Sequence, residues 1–320
     1  MSGIVVGEPT AVGERCAGGT GREGEPGRAG EPGRAGEPGP QVAFGPLGKG
    51  ENVSVAETDT PGIFEGHCHS GRAAGRGYGG AALAQTLAAA HRSVADDGRV
   101  VHSLHAYFLR PLSPERPVRY IPETVRDGRS YSVRQITAEQ DGKEALTMSV
   151  SFKVPQRGGS WRGPGMPDVP GPEGLASGWA YRPADHPLRT SVEYREVPRP
   201  AAASVTGEVT RQAWMRTVGA LPDDPGLRAC VLAYMSDAPL APTALVPYGE
   251  PRPKGVVLAS LDHAMWFHRP AAPDEWLLYE CRSRMAGDGR TLAYGEFWSR
   301  DGELVASVTQ EALLHFRHSA

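Results

Sequence analysis

Several function classes have no support in this sequence. Its 320 residues include only four cysteines, Cys16, Cys68, Cys230 and Cys281, widely separated and with no Cys-x-x-Cys. That is too few for a disulfide framework and carries no zinc spacing, so reduced thiols and a cytoplasmic location are expected. No run of about 18 apolar residues occurs, so no membrane span is expected. The first residues, Met-Ser-Gly-Ile-Val-Val-Gly-Glu, have no basic stretch ahead of an apolar run, so neither is a secretory signal. The ending His318-Ser319-Ala320 is not a Ser-Lys-Leu address. Charge of one sign is also missing. With 34 basic and 37 acidic residues the net charge is −3, and a nucleic-acid partner has no electrostatic footing. Gly-x-Ser-x-Gly, Gly-x-x-x-x-Gly-Lys-Ser/Thr and His-Glu-x-x-His are all absent. This disfavours a nucleophile elbow, a phosphate loop and a zinc protease helix, and neither metal nor cofactor is expected.

Glycine and proline, by contrast, are abundant, at 41 and 29 residues. Fifteen of the glycines fall in residues 1–50, and from Gly18 to Gly39 every third residue is glycine. The spacing is collagen-like, but eight triplets are few for a triple helix, and the composition reads as a disordered tail over residues 1–50. A second Pro/Gly-rich stretch begins at Pro155 and reads as a linker, bounded at 157–185. It separates an N-terminal domain, 51–156, from a C-terminal one, 186–320.

Those two segments resemble each other. Phe108-Leu109-Arg110-Pro111 in the first corresponds to Phe267-His268-Arg269-Pro270 in the second. Each is followed by two Asp-Gly pairs, Asp127-Gly128 and Asp141-Gly142, then Asp288-Gly289 and Asp301-Gly302. Arg-Pro to the first pair spans 17 and 19 residues, and pair to pair 14 and 13. Asp-Gly between apolar runs signals a type I′ hairpin. Each copy reads as a short extended piece, an apolar helix (80–94 and 226–246) and an antiparallel meander. In the first copy the meander strands are 100–109, 118–125, 130–139 and 144–154; in the second, 256–268, 276–284, 291–299 and 303–316. This order is α+β, with the helix apolar on most faces and hence wrapped by its sheet. Gly75-x-Gly77-x-x-Gly80 mimics a dinucleotide fingerprint, but the helix leads into a meander, so close helix–sheet approach or a flexible loop is the better reading of those glycines.

Comparing the copies isolates three polar residues in the second. On the last strand Leu304, Ala306, Val308, Gln310, Ala312, Leu314 and Phe316 share one face, and Gln310 stands where the first copy has Val150. Ser260 stands against Val101. Asp237 lies in Tyr234-Met235-Ser236-Asp237-Ala238-Pro239, aligned by the Arg-Pro count with the Tyr78 region. Ser236 or Asp237 could cap the turn after the break at Pro239. His102 and His105, and His263 and His268, fall on strands without ligand partners and read as structural.

On Tyr78-Gly79-Gly80, on Val101 to Pro111, on Arg126-Asp127-Gly128-Arg129-Ser130, on Tyr234-Met235-Ser236-Asp237, on Leu261-Asp262-His263-Ala264-Met265-Trp266-Phe267-His268-Arg269-Pro270 and on Val305 to Glu311, residues 60–317 resemble the acyl-CoA thioesterase II family. The resemblance implies two tandem hotdog domains forming an intrachain pseudo-dimer. It implies hydrolysis of acyl-CoA, with Asp237, Ser260 and Gln310 holding the attacking water as the catalytic residues. Ala81 and Ser260 depart from the family's usual Gln and Thr; Ser260 keeps the hydroxyl and loses a methyl group, which would loosen positioning. No covalent acyl-enzyme is expected, and sheet edges offer a route to a homo-oligomer. Two other readings stand beside this one: a hotdog hydratase or dehydratase, which needs an Asp/His pair where the adjacent Asp262 and His263 point to opposite faces of a strand, and a non-catalytic acyl-CoA-binding protein.

Overall fold

The computed structural model describes residues 53–316, apart from 72–74, 160, 162, 182–185, 200–208 and 250–254. The glycine-repeat tail and Cys16 lie outside the described residues. The first copy begins with strands β1 (Ala56–Glu57) and β2 (Phe64–Gly66), then helix α1 (Gly79–Arg92). Its meander is β3 (Val100–Phe108), β4 (Val118–Asp127), β5 (Tyr131–Gln140) and β6 (Lys143–Lys153). A short helix α2 (Pro187–Ser191) and strands β7 (Val192–Glu196) and β8 (Val209–Thr217) open the second copy. Helix α3 (Pro225–Leu240) follows, prolonged by a 3-10 stretch, Ala241–Tyr248. Strands β9 (Val256–Ser260), β10 (Asp262–Phe267), β11 (Leu277–Gly287), β12 (Arg290–Ser299) and β13 (Leu304–Phe316) complete it.

These strands form one antiparallel sheet, ordered β1-β2-β4-β5-β6-β3-β10-β13-β12-β11-β8-β7, with β9 also on β13. The copies meet at β3 and β10, where Ala264 pairs with His105 and Trp266 with Ser103. The halves of this order correspond strand for strand, so the duplication is a pseudo-dimer sharing a continuous sheet. Each half curls round its own helix, the hotdog arrangement. In α1, alanine supplies high helix propensity and small volume. Ala81, Ala82, Leu83, Ala84, Leu87, Ala89 and Ala90 are all buried. Burying Leu83 and Leu87 contributes roughly 1.5–3 kcal/mol each. At the start of α3, Pro225 occupies the first turn and the Asp224 carboxylate accepts the N–H groups of Gly226 and Leu227.

α1 and α3 pack against each other antiparallel. The helical stretch Pro225–Tyr248 is long and apolar enough to cross a membrane, with mean hydropathy 1.3. This differs from the expectation drawn from unbroken apolar runs. Burial of 83 % of its most apolar window inside the fold accounts for that apolarity.

Three further differences have physical causes. Only Asp141-Gly142 and Asp288-Gly289 have both residues at positive φ, as type I′ requires. The turns at Asp127-Gly128 and Asp301-Gly302 join strands through three and four residues, so other geometries serve there. The expected strand 256–268 is broken at Leu261. Ser260 pairs with Ala312 but Ala264 with Thr309, so the register shifts by one residue between them. β3 shows the matching shift between Val101 and Ser103. Finally, the Pro/Gly-rich linker is packed. Met166, Val169 and Leu175 cover Trp214, Trp276, Leu278 and Trp298, and Trp214 Nε1 donates to the Pro170 carbonyl at 2.8 Å.

Candidate active site

The three polar residues set apart in the second copy come from three elements and meet at one point. Asp237 is carried by the last turns of α3, Ser260 by the end of β9, and Gln310 by the middle of β13. Gln310 Nε2 donates to Asp237 Oδ1 and to Ser260 Oγ, both at 2.8 Å. Ser260 Oγ donates to Asp237 Oδ1 at a longer 3.5 Å. A carboxylate only accepts, which sets the nitrogen side of the amide toward Asp237. The other side, Gln310 Oε1, is buried without a hydrogen-bond partner among the described residues.

The register shift at Leu261 is what brings Ser260 here. Along β10 the inward residues are His263 and Met265. Strict alternation would place Ser260 on the opposite face with Asp262, Ala264 and Trp266. The extra residue reverses that parity, and the serine turns toward the helix.

Asp237 does not cap its own helix. Its Oδ2 accepts the N–H of Gly80, in the first turn of α1, at 3.0 Å. Tyr78, at the N-cap of α1, makes no side-chain cap bond, so a carboxylate from the other copy does that work at the positive end of the helix. The alignment of Asp237 with Tyr78 is corrected accordingly. Tyr78 bonds the Tyr234 carbonyl on α3 while Asp237 bonds Gly80 on α1; counted from Gly80 and Gly226, the counterpart of Asp237 is His91. Ser236 is not a cap either. Its hydroxyl donates to the Ala233 carbonyl at 2.8 Å and meets His263 Nε2 at 2.9 Å.

Sequence reasoning missed the parts that hold Asp237 in place. Pro239, where a break is expected, instead lies inside α3, which runs on to Leu240; it removes one helical N–H just beyond Asp237. Two tyrosine hydroxyls grip the same turn: Tyr78 donates to the Tyr234 carbonyl at 2.8 Å and Tyr279 to the Ser236 carbonyl at 2.9 Å. Burial raises the Tyr279 phenol well above its ordinary pKa, so it remains a donor. His263 is fully buried, and desolvation lowers it to about 3. It is neutral, and its pairing with Ser236 ties β10 to the turn bearing Asp237. The Gly79-Gly80 pair was the available signal for this contact. A side chain at Gly80 would collide with the Tyr234 carbonyl, and a Cβ at Gly79 would lie 3.0 Å from Asp237 Oδ2. In the first copy the corresponding positions hold His91, Val101 and Val150. Burial lowers His91 to about 4, and nothing there resembles the acid–hydroxyl–amide cluster.

Asp237 and Ser260 line a cavity of about 720 Å³ between the start of α1, the end of β3, α3 and β9. Most of its wall is apolar, including Phe108, Leu112, Ala238 and Leu258. Asp262 and His263 are not among its lining residues. Asp262 Oδ1 accepts the Glu311 N–H at 2.6 Å, and burial raises its pKa. Cys68, Cys230 and Cys281 are free and buried, and burial pushes the Cys68 thiol up to about 12, which disfavours a thiolate nucleophile. Among the described residues no group of three His, Cys, Asp or Glu side chains is placed to hold a metal ion.

Comparison with known proteins matches both copies. Residues 184–313 match the family model described as acyl-CoA thioesterase, and residues 69–153 the acyl-CoA thioesterase N-terminal domain. Acyl-coenzyme A thioesterase 8 of Homo sapiens is 36 % identical over 276 residues, covering 80 % of this chain and 85 % of the relative. Acyl-CoA thioesterase 2 of Haemophilus influenzae is 34 % identical over 255 residues, 75 % of this chain and 87 % of the relative. Among solved structures, the acyl-CoA thioesterase II TesB2 from Mycobacterium marinum superposes with a TM-score of 0.71 at 37 % identity, over 83 % of this chain and 98 % of that one.

Proposed function

The chain belongs to the acyl-CoA thioesterase II family, and from that premise we propose that it hydrolyses acyl-CoA to fatty acid and CoA with a water activated by Asp237. One observation carries this reading: Gln310 Nε2 converges on Asp237 and Ser260 at the wall of an apolar cavity. The acyl chain occupies the cavity with its carbonyl beside Asp237. A water held by Gln310 and Ser260 gives a proton to the carboxylate and attacks the carbonyl carbon. Negative charge gathers on the carbonyl oxygen, and the amide of Gly79, at the positive end of α1, receives it. Collapse of the intermediate breaks the carbon–sulfur bond, and the proton on Asp237 passes to the departing thiolate. No covalent acyl-enzyme forms.

The position of Asp262 and His263 away from the cavity favours hydrolysis over hydration. The domain limits 51–156 and 186–320, with the linker 157–185, belong to the same proposal, as do a cytoplasmic location without a membrane span and self-association through the sheet edges.

Release of free thiol over a panel of acyl-CoA substrates is the test. Asp237→Asn and Gln310→Ala are each expected to lower kcat by about 10²–10⁴-fold with unchanged circular dichroism. Near-wild-type rates in both would reject the site. Changed enoyl absorbance would mean hydration, and binding without turnover a carrier role.

A further inference from the structure

The cavity has a wet end as well as a dry one. Of its lining residues, Ala82 and Ala238 are buried, while Arg76, Leu109 and Arg110 are exposed. Asp237 is the only carboxylate in the lining among the described residues, and it is engaged by Gly80, Ser260 and Gln310. Neither Arg76 nor Arg110 makes an ion pair among the described residues.

The duplication provides an internal comparison for Arg110. Its counterpart in the second copy is Arg269, and where the second copy has Glu303 the first has Lys143. In the second copy the guanidinium and carboxylate pair, Arg269 Nε to Glu303 at 3.7 Å. In the first copy Arg110 Nη1 instead donates to the main-chain carbonyl of Glu144 at 2.5 Å, and its charge is left uncompensated. The same position thus carries a neutralised arginine away from the cavity and an unneutralised one at its opening.

We propose that Arg76 and Arg110 form the subsite that reads the phosphates of the CoA nucleotide, and so select acyl-CoA over thioesters on a carrier protein or on a short thiol. This rests on the hydrolytic reading of the same cavity. An arginine fork suits phosphate oxygens, and two such groups at the exposed end of an apolar cavity match an amphiphile with an anionic head. The CoA nucleotide offers a pyrophosphate and a ribose phosphate there. A carrier-bound pantetheine offers a single phosphodiester, and N-acetylcysteamine none.

The test measures kcat/KM for one acyl chain on CoA, on N-acetylcysteamine and on acyl carrier protein, in the wild type, in Arg76→Ala/Arg110→Ala and in Arg269→Ala. The wild type is expected to prefer acyl-CoA over both other thioesters. In the double variant the preference for CoA over N-acetylcysteamine should fall about tenfold, through KM rather than kcat, as two solvent-exposed charge contacts allow. Added salt should raise the wild-type KM for acyl-CoA. Arg269→Ala should keep the wild-type ratio. An unchanged ratio in the double variant, or an acyl carrier protein rate at or above that of acyl-CoA, would overturn the proposal. If the wild type hydrolyses no thioester, the hydrolytic reading fails instead. Calorimetric titration with free CoA then still decides the subsite: weaker binding to the double variant supports it, and equal binding rejects it.

Discussion

Gly80 is where a single atom decides the site. Its N–H reaches Asp237 because nothing projects from its Cα toward the Tyr234 carbonyl. Gly80→Ala would force α1 and α3 apart at this end. A clash against backbone cannot relax through a rotamer, so a cost of about 1–3 kcal/mol is expected. The carboxylate would also lose its main-chain donor, and kcat should fall at least about tenfold. Thermal denaturation and thiol release check the two effects, and a variant matching wild type in both would show the close approach to be dispensable. The glycine cluster was visible in the sequence, but its partner was not, because Tyr234 lies 154 positions away on another helix. Asp237, Ser260 and Gln310 were legible for a different reason. A hydroxyl and an amide stand out where the other copy supplies two valines, and the acid stands against the Tyr78 region, a comparison that the helices replace with His91.

At the scale of elements, the one-residue shift at Leu261 matters most. It reverses which face of the strand Ser260 occupies, while β10 keeps His263 and Met265 inside. Deleting Leu261 would restore strict alternation and turn Ser260 away from Asp237. The expected outcome is retained β-sheet circular dichroism with thiol release reduced at least about tenfold; full activity would mean that the serine contributes nothing. Period-two counting could not reveal this, since it assumes an unbroken ladder. The same limit applies to the turns. Asp-Gly announced four hairpins correctly, but only the two-residue connections take the positive φ angles that the dipeptide permits. The proline and glycine of the linker say little about where its apolar residues go, and Met166, Val169 and Leu175 pack on a tryptophan cluster that composition does not announce.

The whole molecule carries a pH dependence of stability set by two buried imidazoles. Burial lowers His91 to about 4 and His263 to about 3. Both are neutral in the fold but take up a proton near 6.5 when unfolded, so the unfolded chain binds more protons below that pH. Their contribution is therefore complete above about 6.5 and is lost as pH falls. Each histidine should cost about 1 kcal/mol per pH unit between 6.5 and its folded value. Denaturant midpoints measured from pH 7 to 4.5 should fall in the wild type and fall less steeply in His91→Gln; equal slopes would contradict the assignment. The sequence by itself determined the duplication, the α+β order of each copy and the apolar character of both helices, because period, turn residues and propensity act over a few neighbouring positions. It also singled out the three polar residues, through the contrast between copies. Only the tertiary structure decided that Asp237 caps a helix of the other copy, that a strand irregularity turns Ser260 inward and that Arg110 meets a main-chain carbonyl, with no carboxylate among the described residues, where Arg269 meets Glu303. Each of these depends on which groups distant along the chain are brought within hydrogen-bonding range, and burial then makes the pairing of those groups compulsory or leaves their charge free for a ligand.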